Sequence, residues 1–124
     1  MTMPAFNDDI LKRVRENPYF FRETVTNEFS QLVLMNIESG SDIGEEIHDV
    51  DQVLVVLGGT GEVVLNRRHS PIQANSLVVV PAGTRHNVIN TGSTSLKVFT
   101  LFAPPEVEPG TLLQTKAKDK ETED

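Results

Sequence analysis

The 124-residue chain contains no cysteine and no tryptophan, and only one tyrosine. Without thiols it can build no disulfide scaffold, no thiolate nucleophile and no cysteine-ligated zinc or iron–sulfur site. The same absence fits a reducing cytoplasm. Positive charge is also scarce: 11 Lys and Arg stand against 18 Asp and Glu, a net charge of −7. Nucleic-acid recognition needs clustered cations, and so does docking on anionic lipid, so neither is an expected partner. No apolar run approaches the ~20 residues that span a bilayer. Residues 1–7 have neither the basic stretch nor the apolar core of a secretion signal. A cytoplasmic protein is expected. A chain of this length supports one buried core and no second domain.

What is present reads as a short helix followed by strands. Asn7 is placed to cap a helix over about residues 8–16, with Asp8 and Asp9 in its positive first turn. Ile10, Leu11 and Val14 share a face, and Asn17-Pro18 ends the helix. That face should pack on the outside of the rest. From Tyr19 the residues become aromatic and β-branched. Strands are expected near 20–29, at 31–37 (QLVLMNI), 53–57 (VLVVL), 62–66, 77–80, 85–90 and 96–102. The unbroken VLVVL run suggests burial on both faces. Turn signals separate the strands, among them Gly58-Gly59-Thr60-Gly61, Asn66-Arg67-Arg68 and Pro81-Ala82-Gly83. Short strands at this spacing indicate an all-β sandwich or barrel. Periodicity is lost from Pro104. One domain over 1–115, with its barrel at about 19–105, precedes a charged, disordered tail at 116–124.

The chemistry concentrates around two of the three histidines. Glu46 and His48 are two residues apart, so they share a face of an extended chain, and Gln52 keeps that parity. Asp51, next to Gln52, should face away. His86 opens a later strand. Were both strands part of one small barrel, two imidazoles, a carboxylate and an amide oxygen would meet, a donor set for Fe, Mn, Ni, Co or Zn as a divalent ion.

These residues resemble the two motifs of the cupin superfamily. The first motif is glycine, five residues, His-x-His, three or four residues, Glu, six residues, glycine. Here it runs Gly40, Glu46-Ile47-His48, Gln52 and Gly59 with every spacing kept, Glu46 standing at the first His and Gln52 at the Glu. The second is glycine, five residues, Pro-x-Gly, two residues, His, three residues, Asn. It runs Asn75, Pro81-Ala82-Gly83, His86 and Asn90, with only the opening glycine replaced. With Ala103-Pro104-Pro105-Glu106 and Gly110-Thr111, the chain is similar to small single-domain cupins named mannose-6-phosphate-isomerase-like. The resemblance covers about residues 20–105. It implies a double-stranded β-helix of the jelly-roll type, an RmlC-like cupin barrel. It also implies a divalent transition metal held by Glu46, His48, Gln52 and His86.

Other residues carry plainer readings. His69 and the Arg67-Arg68 pair belong to a solvated hairpin, and Glu45, Asp49 and Asp51 to a solvated barrel mouth. The Gly58–Gly61 stretch lacks the Lys-Ser/Thr and helix of a phosphate loop. Gln31, Met35, Phe99 and Leu101 are candidate pocket walls. The functions that follow are a metal-dependent isomerase acting on a sugar phosphate or similar small polar substrate, a metal-dependent dioxygenase, or a non-catalytic binding module for a sugar or metabolite. Homodimerisation is expected, because the aromatics of residues 19–29 would need cover on an edge strand.

Overall fold

The computed structural model describes residues 5–116. Helix α1 (Ile10–Glu16) precedes β1 (Phe21–Thr26), β2 (Gln31–Ile37), β3 (Asp51–Gly58), β4 (Thr60–Leu65), β5 (Arg68–Gln73), β6 (Leu77–Val80), β7 (His86–Asn90), β8 (Leu96–Ala103) and β9 (Leu112–Leu113). One sheet has the order β6-β3-β8-β2-β1-β9 and the other β5-β4-β7, every ladder antiparallel. This is the double-stranded β-helix.

Helix α1 starts later than the sequence suggested. Asp9, not Asn7, caps it, accepting from the Lys12 amide at 3.1 Å, while Asp8 pairs with Arg13 at 2.7 Å. The helix lies outside the large sheet, as expected. Val14 packs on Leu32 and Leu34, flanked by Leu57 and Phe99. Lys97 fastens its end by donating to the Asn17 carbonyl at 3.0 Å.

The barrel core is built on the opposite faces of the same strands. Val33, Met35 and Ile37 of β2 meet Leu54, Val56, Val98 and Phe102 inside. Strand β2 is therefore buried on both faces. Strand β3 is not: Leu54 and Val56 are buried, but Val53 and Val55 are only half-buried. The physical reason is register. Val53 and Val55 lie on the outer face between Val79 and Leu77 of β6 and Leu101 and Phe99 of β8, and α1 covers only part of that face.

Two strands went unforeseen because they have little to bury. In β5 only Ile72 is buried. Asn66 and Arg67, with φ of 47° and 71°, form the two-residue turn leading into it. Strand β9 is two residues pairing with β1, so the large sheet continues past residue 105. This pairing also removes the reason given for dimerisation: β1 is an inner strand, and Phe20 and Phe21 pack against the core. Only Phe29 of those aromatics is well exposed. Of the tail expected at 116–124, Lys116 pairs with Asp42, and the rest lies outside the described residues.

The expected turns hold the site. Gly59 turns at φ 91°, and a Cβ there would meet the Ser95 carbonyl at 2.6 Å. Asn75 takes the motif's glycine position at φ 76°, a conformation asparagine tolerates better than most residues. Asn90 ties the sheets together: its buried amide donates to the carbonyls of Ile37 and Thr94 at 2.9 and 2.8 Å and accepts from the Gly92 amide at 2.9 Å. Asn90→Ala strands three backbone groups and should cost about 2–4 kcal/mol in urea denaturation. A loss below about 1 kcal/mol would contradict this role.

Candidate metal centre

The segment before β3 runs beside β7 as an irregular extra strand. Ile43 donates to the Val88 carbonyl at 3.0 Å, and Glu46 and His86 exchange both backbone hydrogen bonds at 2.9 Å. The two motifs are thus joined at these residues. The turn at 81–83 closes the arrangement: the Gly83 amide donates to the His48 carbonyl at 2.8 Å, and Gly83 holds φ at 83°.

One ligand atom from each of Glu46, His48 and His86 lies within 4.8 Å of the other two. The imidazole rings are 5.2 Å apart, and His48 stands edge-on to Phe102. His86 is 1% exposed, and its Nδ1 lies 2.9 Å from the Thr84 carbonyl. A carbonyl only accepts, so Nδ1 carries the proton and Nε2 presents a lone pair. His48 Nδ1 faces the Glu106 carboxylate at 3.6 Å, while its Nε2 lies 3.5 Å from Glu46. Gln52 is 2% exposed. The Nε2 atoms of both histidines and Oε1 of Gln52 are buried with no hydrogen-bond partner. Unpartnered buried polar atoms are costly, so these three fit a missing electrophile better than they fit a finished core.

Glu46, His48 and Gln52 open onto a cavity of about 400 Å³. Its other polar walls are Glu106, Glu108 and Thr111, and Phe20, Phe21, Met35, Ile43, Phe102 and Leu113 form much of its apolar side. Among the expected wall residues, Met35 is in place. Gln31 lies behind the wall, 1% exposed. It accepts from the amides of Glu106 and Val107, each at 3.0 Å, and donates to the Val107 carbonyl at 2.7 Å. It therefore fastens the loop that carries Glu106.

Phe99 and Leu101 are corrected: they lie on the outer face, Phe99 beside α1 and Leu101 exposed. Lys97 shares their parity, and a lysine belongs outside. That signal was available and pointed to Phe102 instead. Glu106 and Glu108 were missed because the loop after Pro104 has no periodicity to place its side chains. The plainer readings of other groups agree with the structure. Asp51 turns outward and accepts from the Ala82 amide, Glu45 pairs with Arg85, and His69 pairs with Glu62 at the surface.

A double-stranded β-helix that gathers two imidazoles and a carboxylate at one mouth defines a class: small β-barrels with polar side chains clustered inside. The chain belongs to the cupin domain family, whose pattern matches residues 33–102. It is 42% identical over 123 residues to the uncharacterized protein YrkC of Bacillus subtilis, an overlap covering 94% of this chain and 66% of that one. The crystal structure of BH2720 from Bacillus halodurans superposes with a TM-score of 0.92 at 36% identity, over 95% of each chain. Auxin-binding protein 1 of Arabidopsis thaliana is 30% identical over 87 residues, covering 63% of this chain and 44% of that one. The chain thus spans about two thirds and under half of the lengths of these two curated relatives. No helix among the described residues is long and apolar enough to cross a membrane.

The charge around His48 has a consequence for stability. Glu46 beside the ring raises its pKa above the ordinary imidazole value, against the effect of burial, and Glu106 and Asp49 add to the rise. A folded-state pKa raised in this way contributes stability that is full below the unfolded value near 6.5 and is lost as pH rises through the folded value. Metal-free protein in chelator should therefore melt at lower temperature as pH climbs from about 6 through that raised value. His48→Gln should flatten the slope in the same thermal melts. A slope unchanged by the substitution would contradict the assignment.

Proposed function

We propose that His48, His86, Glu46 and Gln52 hold a divalent transition metal that acts on a small molecule in the adjoining cavity. The observation that carries this reading is the pair of buried, unpartnered imidazole nitrogens beside a carboxylate. The donors suit Fe, Mn, Ni, Co or Zn. When bound, such an ion polarises a carbonyl or binds dioxygen, which is isomerase-type or dioxygenase-type chemistry. The chain's own residues set the stage. Thr84 fixes the His86 tautomer, Glu106 orients His48, and the apolar walls exclude water from the reacting group. The sugar-phosphate substrate is not supported, because among the described residues no Lys or Arg lines the cavity to meet a phosphate. A binding module is the second reading, favoured by the similarity to auxin-binding protein 1 and by a cavity that is largely apolar. The lack of cysteine fits placing either activity in the cytoplasm.

Metal analysis by mass spectrometry on untagged protein should find close to one transition metal per chain. A folded His48→Ala, His86→Ala double variant should retain less than about a tenth of it, since two of the four ligands are gone. A variant that keeps its metal, or a wild-type chain that takes none up after loading, would refute the site and leave the binding-module reading.

We also infer that two copies pair through the outer face of the large sheet. Strand β6 ends that sheet and contains no charge, and Leu77 and Val79 are 64% and 54% exposed beside Leu101. A free strand edge is self-complementary about a two-fold axis. Light scattering should give twice the chain mass, and Leu77→Lys with Val79→Lys should reduce it to one. A wild-type mass of one chain would exclude pairing.

A further inference from the structure

The cavity's charge narrows what it takes. Three acidic residues line it, Glu46, Glu106 and Glu108, and among the described residues no Lys or Arg does. Glu106 faces His48, and no Lys or Arg pairs with Glu106 or Glu108 among the described residues. A second observation marks the space as made for a ligand rather than merely acidic. Gln52, 2% exposed, lines it with an unpartnered Oε1.

We propose that the cavity binds an organic cation: a small amine on an apolar body. The proposal rests on the cavity being the ligand site, as read above. A divalent ion with Glu46 carries one net positive charge, and Glu106 and Glu108 reverse it, so even the metal-loaded site is net negative. A phosphate or carboxylate ligand meets that field with no cation among the described lining residues to offset it. An ammonium group meets carboxylates in a partly dry setting, where opposite charges attract more strongly than in water. Phe20, Phe21 and Phe102 line the cavity with aromatic surface that accepts an apolar body. The volume of about 400 Å³ falls in the range of small-molecule sites.

The test uses three ligands with one body: 2-phenylethylamine, 2-phenylethanol and phenylacetate. Each is titrated calorimetrically into zinc-loaded and metal-free protein, with metal content measured on the same samples. The amine should bind at least tenfold more tightly than the alcohol, and phenylacetate most weakly, in both metal states. The preference should shrink at high salt. Glu108→Lys should weaken the amine at least tenfold without lowering the melting temperature, and Glu108→Gln should fall between. Phenylacetate binding as tightly as the amine, no binding of any of the three, or an amine affinity indifferent to Glu108→Lys would overturn the proposal. Because metal content is read separately, a failed metal site and a wrong ligand charge give different results.

Discussion

The site depends on one backbone pairing. Glu46 and His86 exchange two hydrogen bonds although 39 residues of chain, strands β3 to β6 with the β4–β5 hairpin, separate them. Neighbouring links at Ile43–Val88 and Gly83–His48 make the pairing part of a short ladder. Side chains at a paired position in an antiparallel arrangement lie on one face, close together. The convergence of a carboxylate and an imidazole is therefore fixed by main-chain geometry. His48 follows two residues after Glu46 and points the same way, and the Gly83 amide holds its carbonyl. The strands around this ladder supply the rigidity that keeps the donors in place.

The outer nitrogens of the two imidazoles are engaged by groups that can only accept. The Thr84 carbonyl takes the Nδ1 proton of His86, and the Glu106 carboxylate faces Nδ1 of His48. The Thr84 contact leaves Nε2 of His86 as the lone-pair donor, and His48 is held between two carboxylates, Glu46 at 3.5 Å from Nε2 and Glu106 at 3.6 Å from Nδ1. Glu106 in turn depends on Gln31, whose buried amide clamps the backbone of residues 106 and 107. The order of support thus runs from the large sheet, through Gln31, to the loop, to Glu106 and to His48.

Much of this was readable in the sequence, and the exceptions have physical causes. Spacing carried the two motifs, and parity separated Gln52 from Asp51, because a strand's side chains alternate and only one parity faces inward. The run at 31–37 gave the bounds of β2, since both its faces are buried. Parity failed at β8, where apolar residues occupy both faces of the strand because α1 covers part of the outer one. There Phe99 and Leu101 looked as good as Phe102, and only Lys97 distinguished the faces. Strand β5 and the loop after Pro104 bury too little for hydrophobic pattern to register. The carboxylates of that loop reach the cavity through long-range hydrogen bonds, which no local pattern encodes.

The exchange of ligand types relative to the family's pattern acquires a meaning from burial. The chain resembles cupins whose first motif carries a carboxylate after its histidines, yet Gln52 stands there, 2% exposed. The carboxylate has moved to Glu46, whose side chain is 42% exposed. A buried carboxylate without its metal carries a large desolvation cost, whereas a buried amide carries a smaller one and a carboxylate at the rim almost none. The same formal charge is therefore available to an ion, but the fold depends less on having one. This arrangement favours a barrel that folds without needing an ion at these residues. It also leaves the anionic rim facing the cavity, where Glu106 and Glu108 add to it. The substitution that looks like the loss of a ligand in the sequence is, in the folded chain, a transfer of negative charge from the floor of the site to its entrance.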